Sequence, residues 1–588
     1  MKKLVKLLTL ALALLMILSS AAYASGTLEV PRNETLYING LAWGAPENFN
    51  PVTGNPSFPN NGQRVVMFEF LYMYNHLTGE GEPLLADGPI EWVDQYNFTV
   101  KVKDAAKWND GTALTNEDVA YTYNFAKKYT VNWSNNWTYL EKVEAIDGNK
   151  VQFTLKSAPY DRIQVPASLA TVYILPKHIW EAREKESSDD ISKLRAYTDL
   201  DTVVSSGPYK PFYHDNTNII VVRDDSYWGQ DASMFGKLPA PKYIAHQIFK
   251  DNAAGNLAMQ EGMMDVSQQF IANVWEMWEK DPLISTYLPE NPYYLAGSMP
   301  SLVFNVTKPG LDNAVVRRAI ALATDFEAIA QDAMCGMSET LVPSIMLKKY
   351  HEKYLNPSEK IDTLRWDTTD LDENRETAKA LLDEAGFKDA DGDGKREMPD
   401  GSKIEWKVEC PYGWSDWNAS LEIVAQAGQA IGLNLITYFP ESTVYDNDRF
   451  YGTFDMIMQS PHGDPNPGAP WTGIRNVLYS KDRPPIGEFA GWNQGRYSNP
   501  RIDELMDLIA GESDEVKIKA YYTEIEEIYL TDLPTVPLMY RPWLFHTVSE
   551  HVWTGFPKLN DGSNIPPQVC VAGAGIRALY NLKLVEAK

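Results

Sequence analysis

The chain has 588 residues, 44% of them hydrophobic, enough for several domains or one very large folded unit with substantial cores. Its 79 acidic and 53 basic residues give a formal net charge of −26, which repels nucleic acid and anionic membranes and excludes both as natural partners. The simplest use of such a charge is to keep the protein soluble.

Lys2, Lys3 and Lys6, the apolar run Leu7 to Leu18 and the small-residue site Ala22-Tyr23-Ala24 read as a removable export leader. Cleavage is expected after Ala24, giving a soluble periplasmic product. Loss of the three leader lysines takes the charge from −26 to −29. No cysteine follows the apolar run, so no lipid anchor is expected, and no later run approaches the length of a membrane-spanning helix. Cys335, Cys410 and Cys570 are too few and too far apart for a disulfide framework or a metal knuckle. At most one bridge can form, and buried thiols are expected.

Strands are predicted over Thr35 to Ala42, Tyr96 to Val102 and Val151 to Leu155 from their alternation. Apolar residues three and four apart predict helices over Asn116 to Tyr129, Val315 to Met334, Asn374 to Ala385, Ser420 to Ile431 and Arg501 to Ala510. Ala385-Gly386-Phe387 reads as a helix stop. Pro461 to Gly473 and Pro484 to Gly495 read as long loops. Mixed in this way, the elements indicate an α/β class.

The segment KWNDGTALTNEDVAYTY, Lys107 to Tyr123, reads as a strand end, a tight turn at Asp110-Gly111 and a capped helix start. Thr115 is the candidate N-cap, and Asp118 is its acidic partner at the third helical position. Later, DADGDGKREMPD places Asp389, Asp391 and Asp393 at positions one, three and five of an EF-hand-like loop, with Gly394 at six. Lys395 would lend a carbonyl at seven, while Glu397 stands at nine and Asp400 at twelve in place of the usual Glu. Alternating carboxylates repel one another, so this is either a structural Ca²⁺ site or a plain acidic turn. No other cofactor is required by any motif.

Enzyme signatures are missing. The sequence holds no nucleophile elbow and no P-loop, and His351-Glu352 begins no zincin motif because Leu355 stands where the second His belongs. A pair of glycosidase carboxylates is not recognisable from sequence, so a secreted glycoside hydrolase stays as the alternative from a different class.

The Lys107–Tyr123 segment resembles the "kWhDG.plTAeDV" signature of the family 5, oligopeptide-binding-like, extracytoplasmic solute-binding proteins of ABC importers, departing from it at Asn109 and Asn116. The resemblance continues through Leu84-Leu85-Ala86, Ile174 to Trp180, Ser206 to Tyr209, Tyr227-Trp228, Gly262 to Asp265, Leu302 to Asn305, Val316 to Asp325, Leu381 to Phe387, Tyr497 to Asp503 and Glu526 to Pro537. It implies a two-lobed periplasmic-binding-protein fold of the large cluster C type, a hinged clamp that delivers cargo to a membrane permease and works as a monomer. On that pattern residues 1–24 are leader and 25–295 the first lobe, with an extra subdomain at about 70–190. Residues 296–540 form the second lobe and 541–588 return to the first.

Aromatic residues are the best local clue to the cargo. Trp43, Trp133, Trp137, Trp414, Trp417 and Trp471 stand in polar, loop-like surroundings, where a flat ring suits the CH-lined face of a pyranose. In the relatives the segments equivalent to Trp133–Leu140, Pro411–Trp417 and Ser460–Trp471 surround the cleft. The opening Trp43 to Pro51 resembles the cello-oligosaccharide-binding branch of thermophilic bacteria. The resemblance therefore implies a β-linked gluco- or manno-oligosaccharide such as a cellobiose series, stacked on those six tryptophans, with Asn60, Asn135 and Asp416 as hydroxyl contacts. The rival is an oligopeptide, whose amine Asp464 would pair. The arginines usual in peptide carriers are not evident around Pro411 to Asn418.

Overall fold

The computed structural model describes residues 30–43, 49–53, 66–156, 164–198, 203–347, 351–354, 358–366, 369–461, 470–481, 483–512, 514–542, 545–569 and 573–586. The expected leader, Asn60, Asp464 and Cys570 lie outside the described residues. Two mixed sheets organise the rest. The first has seven strands in the order Ile284–Thr286, Thr547–Ser549, Val266–Ser267, Thr35–Asn39, Tyr243–Gln247, Asn218–Arg223, Tyr209–His214. Its central strand Thr35–Asn39 runs parallel to Tyr243–Gln247 and to Val266–Ser267. Both faces are covered: Leu36, Ile38, Ile244 and Val266 are buried on one and Thr35, Asn39, Ala245 and Ser267 on the other, as expected for parallel strands.

The second sheet has the order Leu435–Tyr438, Trp406–Glu409, Met456–Gln459, Ser301–Phe304, Thr535–Pro537, and its first three strands are parallel. Between the sheets, Ala296–Ser298 pairs antiparallel with Arg541–Pro542, so the chain crosses once in each direction and forms two lobes. A four-stranded antiparallel sheet, Glu91–Trp92, Asn97–Lys101, Lys150–Leu155 and Leu140–Ile146, adds a subdomain to the first lobe. The helix Asn116–Lys128 packs on it, with Phe98 stacked on Phe153 at 4.8 Å and Tyr123 edge-on to Phe153 at 5.0 Å. Among the described residues no helix is long and apolar enough to cross a membrane.

The capped start at Thr115 forms as read. Its hydroxyl accepts from Glu117 N, and Asp118 Oδ2 accepts from Thr115 N at 2.8 Å. Gly111 turns at φ +87°, a conformation that favours glycine. Other predicted elements are corrected. The helix expected over Val315 to Met334 ends at Ala323, because Asp325 leaves helical geometry to cap a new turn, accepting from Ala328 N at 2.8 Å. The helix expected from Ser420 begins at Ser415, which puts Asp416 and Trp417 on its first turn. Part of the long loop expected at Pro461 to Gly473 is helical, since the helix Pro470–Leu478 covers its end.

Several of the matching motifs are packing devices. Arg317 donates to the carbonyls of Asp532 and Leu533, and Arg318 to that of Leu530, so two cations close the C-terminus of the helix Glu515–Asp532. Asp265 is clasped by Arg32 at 2.9 and 2.7 Å. The Ser-Gly-Pro-Tyr and Tyr-Trp segments meet at buried Glu69. Tyr227 Oη donates to it at 2.5 Å and Trp228 Nε1 at 3.0 Å, and Ser206 Oγ accepts from Glu69 N.

Burial outweighs those donors and pushes the Glu69 carboxyl up to about 8. A carboxyl that holds its proton more tightly when folded stabilises the fold fully below its unfolded range near 4.5 and loses that contribution as pH rises through about 8. The stability difference between wild type and Glu69→Gln should therefore fall by about 4 kcal/mol between pH 5 and pH 9, measured by chemical denaturation. A flat difference would mean that Glu69 is ionised throughout.

Candidate functional site

In α/β sheets ligands gather beyond the carboxyl ends of parallel strands. Here those ends face each other across the two lobes. In the first lobe, Thr35–Asn39 runs out into Gly40 to Trp43, Tyr243–Gln247 into Ile248 to Asp251, and Val266–Ser267 into Gln268. In the second, Trp406–Glu409 runs out into Cys410 to Trp414. Trp43 and Trp414 meet with ring centroids 5.9 Å apart and planes at 53°. Trp414 also contacts Trp417 at 4.9 Å and Tyr445 at 6.3 Å, so it is the hub of an aromatic run that spans the lobes.

Backbone contacts hold the same junction. Asn252 N donates to Gly413 O at 3.2 Å, and Asn252 Nδ2 to Ser415 Oγ at 3.0 Å. Gly413 is required twice over. It turns at φ +79°, and an added Cβ would lie 2.4 Å from Asp251 Cβ in the opposite lobe. A second bridge, Tyr139 edge-on to Trp471 at 6.2 Å, joins the subdomain to the second lobe.

The structure divides the predicted residues. Trp43, Trp414, Asp416 and Trp417 come together at the junction. Asp416 Oδ2 accepts from Arg541 Nε at 2.6 Å, so its first partner is a guanidinium arriving on the crossover strand. Its other oxygen is buried without a partner among the described residues. Arg541 also lies over the Phe545 ring at 4.6 Å and the Trp417 ring at 6.0 Å. This cleft arginine escaped sequence reasoning, since it stands 125 residues from Asp416 and carries no local signal. Asn252 and Gln268 escaped for the same reason.

Trp133 and Trp471 are corrections to the loop-like reading. Trp133 is 5% exposed and donates to Thr122 O, a carbonyl of the subdomain helix, at 3.0 Å. Trp471 is fully buried in the helix Pro470–Leu478 and donates to Met506 O at 2.9 Å. Both fill core, and Trp471 offers the junction only its contact with Tyr139. Trp137 donates to Tyr123 O at 2.6 Å and carries Lys127 over its half-buried ring at 4.4 Å. Asn135 sits half-buried on the short turn Ser134–Thr138 between them.

In the acidic loop, bridges from Lys388 to Glu397 and from Glu397 to Lys403 make a hairpin, not the helix-loop-helix of an EF-hand. Asp389, Asp391 and Glu397 can each bring one oxygen within 4.8 Å of the others. Asp389 receives Gly392 N and Gly394 N, and Asp393 receives Lys395 N. Asp400 is a correction, because its Oδ1 is engaged by Ser402 N at 2.9 Å and Ser402 Oγ at 2.6 Å, in a turn of its own. Lys403 Nζ lies 3.0 Å from Asp391 and 3.3 Å from Asp393, where it relieves the carboxylate repulsion and holds the Asp391 carboxyl below its ordinary range. The three clustered carboxylates suit a hard cation; the Asp393 and Asp400 carboxylates are not among them.

Two lobes on crossover strands, meeting at the carboxyl ends of their parallel strands, define a ligand clamp. Residues 80–482 match the bacterial extracellular solute-binding proteins, family 5 Middle, and the chain belongs to that family. The chain is similar to a mannohexaose-bound periplasmic oligopeptide-binding protein of an oligopeptide ABC transporter from Thermotoga maritima, with 29% identity and a TM-score of 0.84, covering 95% of this chain and 99% of that one. It shares its fold with the oligopeptide-binding protein AppA of Bacillus subtilis in complex with a nonapeptide, at 21% identity and TM-score 0.72, covering 94% and 99%. A probable peptide-binding protein, YejA of Agrobacterium fabrum, is 23% identical over 490 residues, 79% of this chain and 77% of that protein. The fold is thus the α/β, two-lobed, cluster C type, and the family is not enzymatic. The protein is the extracellular substrate-binding component of an ABC importer, which implies a ligand and a permease complex as partners.

Proposed function

We propose that the cargo is a neutral β-linked oligosaccharide of gluco or manno type, captured in the periplasm. The observation that carries this reading is the aromatic run Trp43–Trp414–Trp417 beside a carboxylate and a guanidinium that neutralise each other. Flat rings suit pyranose faces, and a charge-balanced floor suits a ligand without charge. A zwitterionic peptide would need a free charge for each terminus, whereas Asp416 and Arg541 are committed to one another. The sugar-bound relative in Thermotoga supports the same choice. The peptide reading draws on the names of the other relatives and on Asp464, outside the described residues.

In this reading the open lobes admit the chain of sugars, Trp43 and Trp414 stack on its rings with buried Trp417 backing them, and closure brings Asn252 against Gly413 and Ser415 before docking on the permease. A thermal-shift screen tests it, because a ligand that binds the folded form raises the melting temperature by mass action. Cello-, manno- and xylo-oligosaccharides are set beside di- to pentapeptides. A shift with sugars alone is expected, and a shift with peptides alone would overturn the reading.

We also propose a structural Ca²⁺ held by Asp389, Asp391 and Glu397, with Lys403 swung away. In the same screen, added Ca²⁺ should raise the melting temperature and a chelator should reverse the rise. No response would leave Lys403 as the cation that balances Asp391 and Asp393.

A further inference from the structure

Some hydrogen-bonding capacity beside the lobe junction has no taker among the described residues. Gln268 follows directly on the strand Val266–Ser267 and is 3% exposed, yet neither its Oε1 nor its Nε2 has a partner among the described residues. Its neighbour Gln269 makes the opposite case. Gln269 Nε2 donates to Asn252 O at 2.7 Å and to Asn256 Oδ1 at 2.6 Å, and its Oε1 accepts from Asn39 Nδ2 at 3.4 Å. One glutamine therefore fastens the lobe, while the other is buried with both ends unspent. Buried amides without partners are rare and costly, so such a group calls for an explanation.

Position supplies one. Through Gln269 and Asn252, the Gln268 segment reaches Gly413 and Ser415 of the opposite lobe. Through Phe270, which packs edge-on against Phe545 at 5.5 Å, it reaches Arg541 and so Asp416. Gln268 is bracketed by both routes to the Trp414–Trp417 segment. There, two further buried atoms lack partners, Trp417 Nε1 and Asp416 Oδ1, in residues 4% and 1% exposed. An uncharged amide, an indole N–H and one carboxylate oxygen are thus left without partners among the described residues, on segments tied to the two sides of the junction.

We propose that Gln268 is the specificity-determining residue of this site, its amide taking two vicinal hydroxyls of one sugar ring. Oε1 accepts from one hydroxyl and Nε2 donates to the next, while Trp417 Nε1 donates and Asp416 Oδ1 accepts at neighbouring positions. A hydroxyl is both donor and acceptor, so a polyol satisfies all four atoms without bringing charge into the cleft. The assignment rests on the oligosaccharide reading above. It deepens that reading by naming the groups that select the orientation of hydroxyls, which stacking alone leaves unread.

The test is calorimetric titration of wild type and Gln268→Leu with mannohexaose and cellohexaose. Binding to the leucine variant should weaken about tenfold or more for the sugar that wild type prefers, because a bound hydroxyl would then lose its partner. The melting temperature without ligand should stay unchanged, whereas a merely structural role would lower it and spare affinity. If the leucine variant does not fold, Gln268→Glu decides. It keeps the shape but loses the donor, so binding should weaken at pH 8 and recover toward pH 5 as the carboxyl regains a proton. Equal affinity of wild type and the folded variant for the sugar overturns the assignment of Gln268 alone. Wild type that binds peptides and neither sugar overturns the oligosaccharide reading and this assignment with it.

Discussion

Replacing Arg541 by methionine should be the most damaging single change at the junction, costing about 3–5 kcal/mol of stability. Asp416 is 1% exposed, and Arg541 Nε at 2.6 Å is its main compensation. Without the guanidinium an isolated carboxylate stays buried on the first turn of the helix Ser415–Ala430, where the helix dipole repays only part of the loss. Adding Asp416→Asn to Arg541→Met should recover most of the stability, since the cost lies in the unpaired charge and not in the missing contact. Denaturant melts of the wild type, both single variants and the double variant measure all of this. Equal stability of wild type and Arg541→Met would show that the pair is solvated in solution.

Trp414→Ala should weaken oligosaccharide binding by about 1–3 kcal/mol, a range taken from aromatic stacking on nucleic-acid bases. Its ring touches Trp43 across the lobes and Trp417 and Tyr445 within one, so its loss removes the hub and not one platform among several. Trp43→Ala combined with Trp414→Ala should therefore cost less than the sum of the two, as expected for residues in contact. Trp133→Ala is the contrasting case. Trp133 is core, and its loss should cost about 3–5 kcal/mol of stability while leaving the affinity of the folded protein close to wild type. Calorimetry and denaturation on wild type and these four variants separate the roles. Unchanged affinity in Trp414→Ala would remove the aromatic run from the site.

What the sequence revealed divides along the range of the interactions. Thr115, Asp118 and Gly111 were legible because caps and turns are settled by residues within three positions of one another. The tight turns at Asp389 and Asp391 were legible for the same reason, whereas Asp400 was read into the same loop although Ser402, two residues on, engages its oxygen in a separate turn. Trp133 and Trp471 look alike to Trp414 in composition and neighbours. Their N–H groups are claimed by carbonyls 11 and 35 residues away, and only the fold decides that. The two-lobed architecture followed from motifs spread along the chain, whereas the Asp416–Arg541 pair closes over 125 residues and left no pattern to read. Gln268 stood beside a legible motif, ending at Asp265, and was passed over because nothing local distinguishes it from Gln269.

The most direct test of the central claim is isothermal titration of the leaderless protein with mannohexaose and cellohexaose, set against a mixture of pentapeptides. Saturable binding of at least one hexaose, with a negative heat-capacity change from the buried aromatic faces and no heat from the peptides, is the predicted result. Saturable binding of peptides with none of either sugar would contradict it.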